Sequence, residues 1–230
     1  MSDARAAILG RVERAVRTGR IPNATTRHDT GASADGGLEE RPSDDRVGGD
    51  PESERGDPTR VALQERFVLE ARALGVETYV EPTVTAVCDR LRTLVAGLRV
   101  LTWNPDLLPY DCGSIVEGAL VGSSPPGEQA RAEVGVTACH GAIAETGSLA
   151  LLSGPGCSRT VSLLPPVHVA VVRPDDLFET MGHFFAVRAA ALAQSSSCTF
   201  VTGPSRTADI ELSLTIGVHG PGRVAIVFGP

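Results

Sequence analysis

The sequence predicts an α/β protein whose mainly parallel sheet is covered by helices on both faces. Two observations predict it. From residue 58 onward, apolar runs of strand length alternate with helical stripes, the order that builds parallel strands joined by helices. The composition, 42% hydrophobic with 25 Gly and 16 Pro in 230 residues, suits a globular chain with many short connections. No apolar stretch approaches the roughly 20 residues of a membrane span, so none is expected.

Residues 1–20 read as an amphipathic helix: between Asp3 and Arg17, the side chains of Ile8, Leu9, Val12 and Val16 share one face, which needs a partner surface. No secretory h-region is present there, so a cytoplasmic protein is expected. Residues 21–57 are rich in Gly, Ser, Asp, Glu and Pro. Within them, His28 to Asp57 hold ten acids and three arginines, a net of −7 that equals the charge of the whole chain. Too little apolar surface is present to offset the entropy of ordering, so this stretch reads as a flexible acidic linker, with an acidic docking tail as the alternative.

Residues 58–230 form the α/β domain. Leu63, Phe67, Val68 and Leu74 make a helical stripe that Gly75 terminates. Glu77–Glu81 is strand-like, Thr83–Leu98 helical, and Leu98–Trp103 a second strand. Apolar runs follow at Val134–Thr137, Leu149–Leu152, Val167–Val172, Thr199–Val201 and Val224–Phe228. Pro174-Asp175-Asp176 opens a helix that buries Leu177, Met181, Phe184, Phe185 and Leu192. One helical turn near 206–210 leads into a strand in which Ile210, Leu212, Leu214, Ile216 and Val218 alternate with polar residues.

Several chemistries are excluded. All 21 basic residues are arginine, which removes Schiff-base lysines and the GxxxxGK[ST] phosphate loop. The five cysteines (Cys88, Cys112, Cys139, Cys157 and Cys198) form no CxxC pair. Neither an iron–sulfur cluster nor a structural zinc is expected on this chain, and no bound cofactor. Outside the acidic stretch the charges balance, and aromatics are 4% of the chain, so nucleic acid has neither an electrostatic nor a stacking handle. GxGxxG and GxSxG are absent.

Three polar loops adjoin apolar runs. In His140–Ser148, Glu145 beside Thr146 and Gly147 reads as a general base, as a carboxylate nucleophile, or as a turn acid accepting backbone N–H bonds. In Ser153–Val169, Arg159 suits a bidentate carboxylate or phosphate contact, or a surface ion pair, and His168 reads as a satisfied core histidine, with a catalytic one as the alternative. Cys157 has no neighbour in sequence that would activate it. In Thr202–Glu211, Gly203 permits a sharp turn, and Pro204 with Ser205 starts a helix whose free N–H groups face an anion. Arg206 adds a charge, and Asp209 and Glu211 hold Arg206 or Arg159; a capped helix with a solvent-facing arginine is the alternative.

The segments AIAETGSLAL, RTVSLLPPVHVAVV, TGPSRTADIE and GVHGP occur in this order over Ala142–Pro221. Together they resemble the signature segments of the LUD domain family, of the lactate-utilization protein C type. The departures are Ser148, where a second threonine is common, and His140, where an acidic or small residue is. The resemblance implies a three-layer α/β/α fold of the sugar-phosphate isomerase and coenzyme A transferase type. It also implies a role in oxidising L-lactate to pyruvate, with iron–sulfur clusters on partner subunits rather than on this chain. The three polar loops together read as a cleft for a small carboxylate or phosphate. One wall is Gly203, Pro204, Ser205, Arg206, Asp209, Glu211 and His219, and the facing walls are Glu145, Thr146, Gly147, Ser148 and Arg159. The alternatives are a free-standing transferase or isomerase using Glu145, and a regulatory binding module without chemistry.

Deleting residues 27–57 is expected to change folding stability by less than about 1 kcal/mol, because little core is removed. A large fall in melting temperature would show that the segment packs.

Overall fold

Residues 58–208, 214–217 and 219–230 are described by the computed structural model. The expected helix at 1–20, the linker at 21–57, and Asp209 and Glu211 lie outside the described residues.

Helix α1 (Pro58–Ala73) buries Phe67 and Ala71 completely. It ends as expected at Gly75, with φ +86°. The Gly75 and Val76 N–H groups return to the carbonyls of Arg72 and Ala71, at 2.9 and 3.0 Å, in a Schellman closure. Strand β1 (Glu77–Val80) follows. In helix α2 (Val84–Val95), the side chain of the N-cap residue Thr83 accepts from the Ala86 N–H, and Val87, Leu91 and Val95 are buried.

Strands β2 (Val100–Thr102), β3 (Leu120–Val121), β4 (Val134–Thr137), β7 (Val167–Val172) and β12 (Arg223–Phe228) join β1 in a six-stranded sheet of order β1-β12-β7-β4-β2-β3. Every neighbouring pair is parallel. Its strands are apolar on both faces, as a covered parallel sheet requires. On one face Val134, Val136, Val169, Val171, Ala225 and Val227 pack with α2. On the other, Leu101, Ala170, Val172, Val224, Ile226 and Phe228 pack with α1, where Phe67 meets Phe228 edge-to-face at 5.3 Å.

The three-layer reading stands, with one addition. Strands β5 (Gly141–Ile143), β6 (Ser148–Ser153), β8 (Leu177–Phe178) and β9 (Ser197–Val201) form a second sheet of order β8-β5-β6-β9. Ala142, Ala144, Leu149 and Leu151 press it onto the α1 side of the parallel sheet. Its far face, Ile143, Ala150, Leu152 and Phe178, is closed by Phe184 of α5 (Met181–Val187), which α6 (Ala189–Gln194) follows.

Four sequence expectations are corrected here. Leu149–Leu152 and Thr199–Val201 pair antiparallel with each other rather than joining the parallel sheet. The link from β5 to β6 is a tight turn, far too short for a parallel crossover. Pro174–Asp176 forms a 3-10 turn, and Leu177–Phe178 then pairs with β5, so the helix starts only after the Thr180 cap. Phe185 is exposed rather than buried. Residues 206–208 form strand β10, in a hairpin with β11 (Leu214–Ile216), not a helical turn. Among the described residues, no helix is long and apolar enough to cross a membrane.

His168 lies fully buried in β7, its Nε2 2.9 Å from the Thr137 hydroxyl, and Nδ1 has no partner among the described residues. Burial lowers its pKa from 6.5 to about 4. The ring is therefore neutral in the folded chain, whereas the unfolded chain takes up the proton first as pH falls. This contribution to stability is complete above pH 6.5 and is lost towards pH 4, by about 2 kcal/mol at pH 5. His168→Gln should narrow the gap between urea midpoints at pH 7 and pH 5; an unchanged gap would contradict this assignment.

Candidate functional site

All six parallel strands end on one edge. There β2 runs into Trp103 and Asn104, β3 into Gly122 and Ser123, β4 into Ala138-Cys139-His140, and β7 into Arg173. The chain leaves β2 towards β3 but leaves β4 towards β7, on opposite sides. The gap between β2 and β4 is thus a topological switch point, where open α/β sheets place ligands.

Hollows adjoin one another there. One of about 520 Å3 is lined by Asn104, Gly122, Ser123, Gly154, Gly156 and Ser158. Another, of about 270 Å3, is lined by Trp103, Ala138, Cys139, His140, Cys157 and Arg173, with Leu107 and the exposed Asp106 at its rim. The loop after β6 is stitched to this edge: Asn104 N donates to Gly156 O at 2.9 Å, and Trp103 Nε1 to Ser158 O at 3.2 Å.

The lining of the smaller cleft carries one cation, Arg173, and one carboxylate, Asp106. Asp176 is buried and accepts from two guanidiniums. Arg173 donates through Nε and Nη2, at 3.0 and 3.4 Å, and Arg188 through Nη2 at 3.0 Å. Arg188 Nε also donates to the His140 carbonyl at 3.0 Å. The two positive charges on this carboxylate are balanced once the Asp106 carboxylate on the cleft's lining is counted. Arg173 remains about half exposed, and no described residue bonds its Nη1.

His140 sits 5.4 Å from the Trp103 ring. The Leu152 N–H donates to its Nδ1 at 3.2 Å. Burial, and then the Arg188 charge, pull its pKa below the ordinary 6.5 against the opposing pull of Asp176. The neutral ring therefore carries its proton on Nε2, which no described residue bonds. Burial pushes the Cys139 and Cys157 thiols upward, so neither is a ready thiolate. Among the described residues, no group of three or more His, Cys, Asp or Glu side chains gathers to hold a metal.

The residues singled out from the sequence mostly lie elsewhere. Glu145 Oε1 accepts the Met181 N–H at 2.7 Å, which closes the first turn of α5. Thr146, Ser148 and Thr202 form a hydroxyl chain, with links of 2.9 and 2.7 Å, that ties the ETGS turn to the TGPS segment. Gly147 has φ +62° and abuts the α1 backbone at Ala71, where a side chain has no room. Gly203 lies against Leu74. Ser205 N donates to Pro221 O, beside the half-buried Pro204 and the exposed His219.

Arg206 Nη2 donates to Leu74 O at 2.7 Å, at the C-terminal end of α1. The cation therefore meets the negative end of one helix rather than extending the positive end of another, as the sequence had suggested. Arg159 is exposed and does not oppose this group. Its loop follows the far end of β6, roughly 17 Å from Ser148 at about 3.3 Å per residue. Trp103, Asn104, Arg173, Asp176 and Arg188 escaped sequence reading. The signal for the first three was the rule applied to Val201, used at Thr102 and Val172 instead.

The LUD domain model matches residues 127–228, from α3 (Pro126–Gln129) through β12. Lactate utilization protein C of Halalkalibacterium halodurans is 31% identical over 70% of this chain and 76% of its own length. The chain belongs to the LUD domain family. Lactate utilization protein C of Exiguobacterium sp. is likewise 31% identical, over 81% of this LUD protein and 83% of its own length. A crystal structure of a DUF162 family protein from Deinococcus radiodurans shares the fold, with a TM-score of 0.61 and 23% identity, over 74% of this chain and 98% of that one.

Urea unfolding should separate these placements. Gly147→Ala should lower stability by about 2 kcal/mol or more, through its backbone conformation and the Ala71 contact. Arg206→Ala, an exposed cap, should lower it by less than about 1 kcal/mol. Glu145→Gln keeps an acceptor oxygen for Met181 and should be nearly neutral. Loss of function in Glu145→Gln with stability intact would mark Glu145 as chemical rather than structural.

Proposed function

We propose that this LUD protein is a cytoplasmic subunit of an L-lactate utilization system, binding a small carboxylate at the carboxyl edge of its parallel sheet. The observation that carries the reading is its similarity to lactate utilization protein C over 76% and 83% of two relatives' lengths. The edge supplies the matching chemistry: the Arg173 guanidinium, whose Nη1 is left open by Asp176, and small-residue loops that leave room for a ligand. Oxidising lactate to pyruvate removes two electrons and two protons. In this reading iron–sulfur clusters on partner subunits carry the electrons, and this chain binds and orients the acid. Arg173, held planar against Asp176, offers its remaining N–H groups to a carboxylate, a charge-assisted contact worth about 1.5–3 kcal/mol.

Deleting the gene should abolish growth on L-lactate but not on glucose, and the intact gene should restore it. A tagged chain from lactate-grown cells should retain iron–sulfur proteins. Normal growth of the deletion strain on lactate would overturn the reading. Turnover of an acyl or sugar-phosphate substrate by the purified chain, lost in Glu145→Gln, would replace it with the transferase or isomerase alternative. Ligand binding without partners or turnover would leave a regulatory module.

A further inference from the structure

We propose that the Trp103–His140–Arg173 cleft is a binding site for a small 2-oxo- or 2-hydroxycarboxylate, with the carboxylate on Arg173 and the 2-oxygen on His140 Nε2. The choice of acid rests on the lactate-utilization reading; the site itself rests on geometry.

Three observations converge. The cleft lies at the switch point between β2 and β4, and its volume of about 270 Å3 is below the roughly 300–1,000 Å3 of sites for larger ligands. Arg173 is pinned through Nε and Nη2 to Asp176, leaving Nη1 open on a half-exposed side chain. The Leu152 N–H engages His140 Nδ1, so the neutral ring points its only N–H away from β6.

A cation that reads a carboxylate and a separate neutral donor that reads a second oxygen are the two contacts a 2-oxo or 2-hydroxy acid needs. Trp103, almost fully buried, supplies a flat wall for the short carbon chain. Propionate satisfies the first contact and lacks the second. Inorganic phosphate, being bulkier and carrying more charge, fits a two-arginine clamp better than this one, because Arg188 is already committed to Asp176 and the His140 carbonyl.

The test is calorimetric titration of the full chain with pyruvate, L-lactate, propionate and inorganic phosphate. Pyruvate and L-lactate should bind at least ten-fold more tightly than propionate and phosphate. Arg173→Gln should weaken pyruvate at least ten-fold. His140→Asn, whose amide oxygen can still accept from Leu152 N, should reduce pyruvate affinity to that of propionate and leave propionate unchanged. Should a variant fail to fold, nitrogen-15 NMR of the unaltered chain decides: pyruvate should move the His140 Nε2 resonance and leave those of the exposed His183 and His219 in place. Absence of saturable binding by either acid, equal affinity for propionate, or a still His140 resonance would overturn the proposal. Pyruvate binding at this cleft in a chain that cells do not need for growth on lactate would uphold the site and overturn the function proposed above.

Discussion

One buried carboxylate organises the carboxyl edge of this molecule. Asp176 follows β7, and its two oxygens accept from Arg173 on the same turn and from Arg188 between α5 and α6. Arg188 in turn holds the carbonyl of His140, at the exit of β4. Three segments from two sheets and a helix pair thus meet on a single anion. An unpaired buried charge costs several kcal/mol, and the two arginines together keep this carboxylate paired. The arrangement also leaves Arg173 Nη1 open on the lining of the cleft, which the Asp106 carboxylate shares. In the proposal above, the contact that closes the fold here is also the one that orients Arg173 for an acid.

A second constraint acts at the C-terminal end of α1. Gly147 abuts Ala71, Gly203 lies against Leu74, and Arg206 donates to the Leu74 carbonyl. The hydroxyl chain from Thr146 through Ser148 to Thr202 binds the two loops together beside that helix. The ETGS and TGPSR segments therefore have a structural account: they seat α1 on the second sheet. Their glycines are needed for contact with a helix, and no ligand has to be invoked to explain them.

Much of this fold was legible in the sequence. Gly75 and Thr83 announced a helix end and a helix start through local chemistry, and the apolar strands β4, β7 and β12 were announced through composition. His168 was legible as a core residue because apolar neighbours flank it on both sides. The second sheet was not. Its strands β5 and β8 have three and two residues, too short for any period to register, and β6 and β9 are as apolar as parallel strands. The candidate site was the least legible part. Arg173, Asp176, Arg188 and His140 are joined by no motif, and only the parallel topology and a second-sheet hairpin bring them together.

The most direct measurement is a crystal structure of the full chain grown in saturating pyruvate. The account expects the acid between Trp103 and Arg173, with its carboxylate within hydrogen-bond reach of the guanidinium and its 2-oxygen on His140 Nε2. Pyruvate seated instead against Arg206 and Glu145, or a cleft holding only solvent, would contradict it.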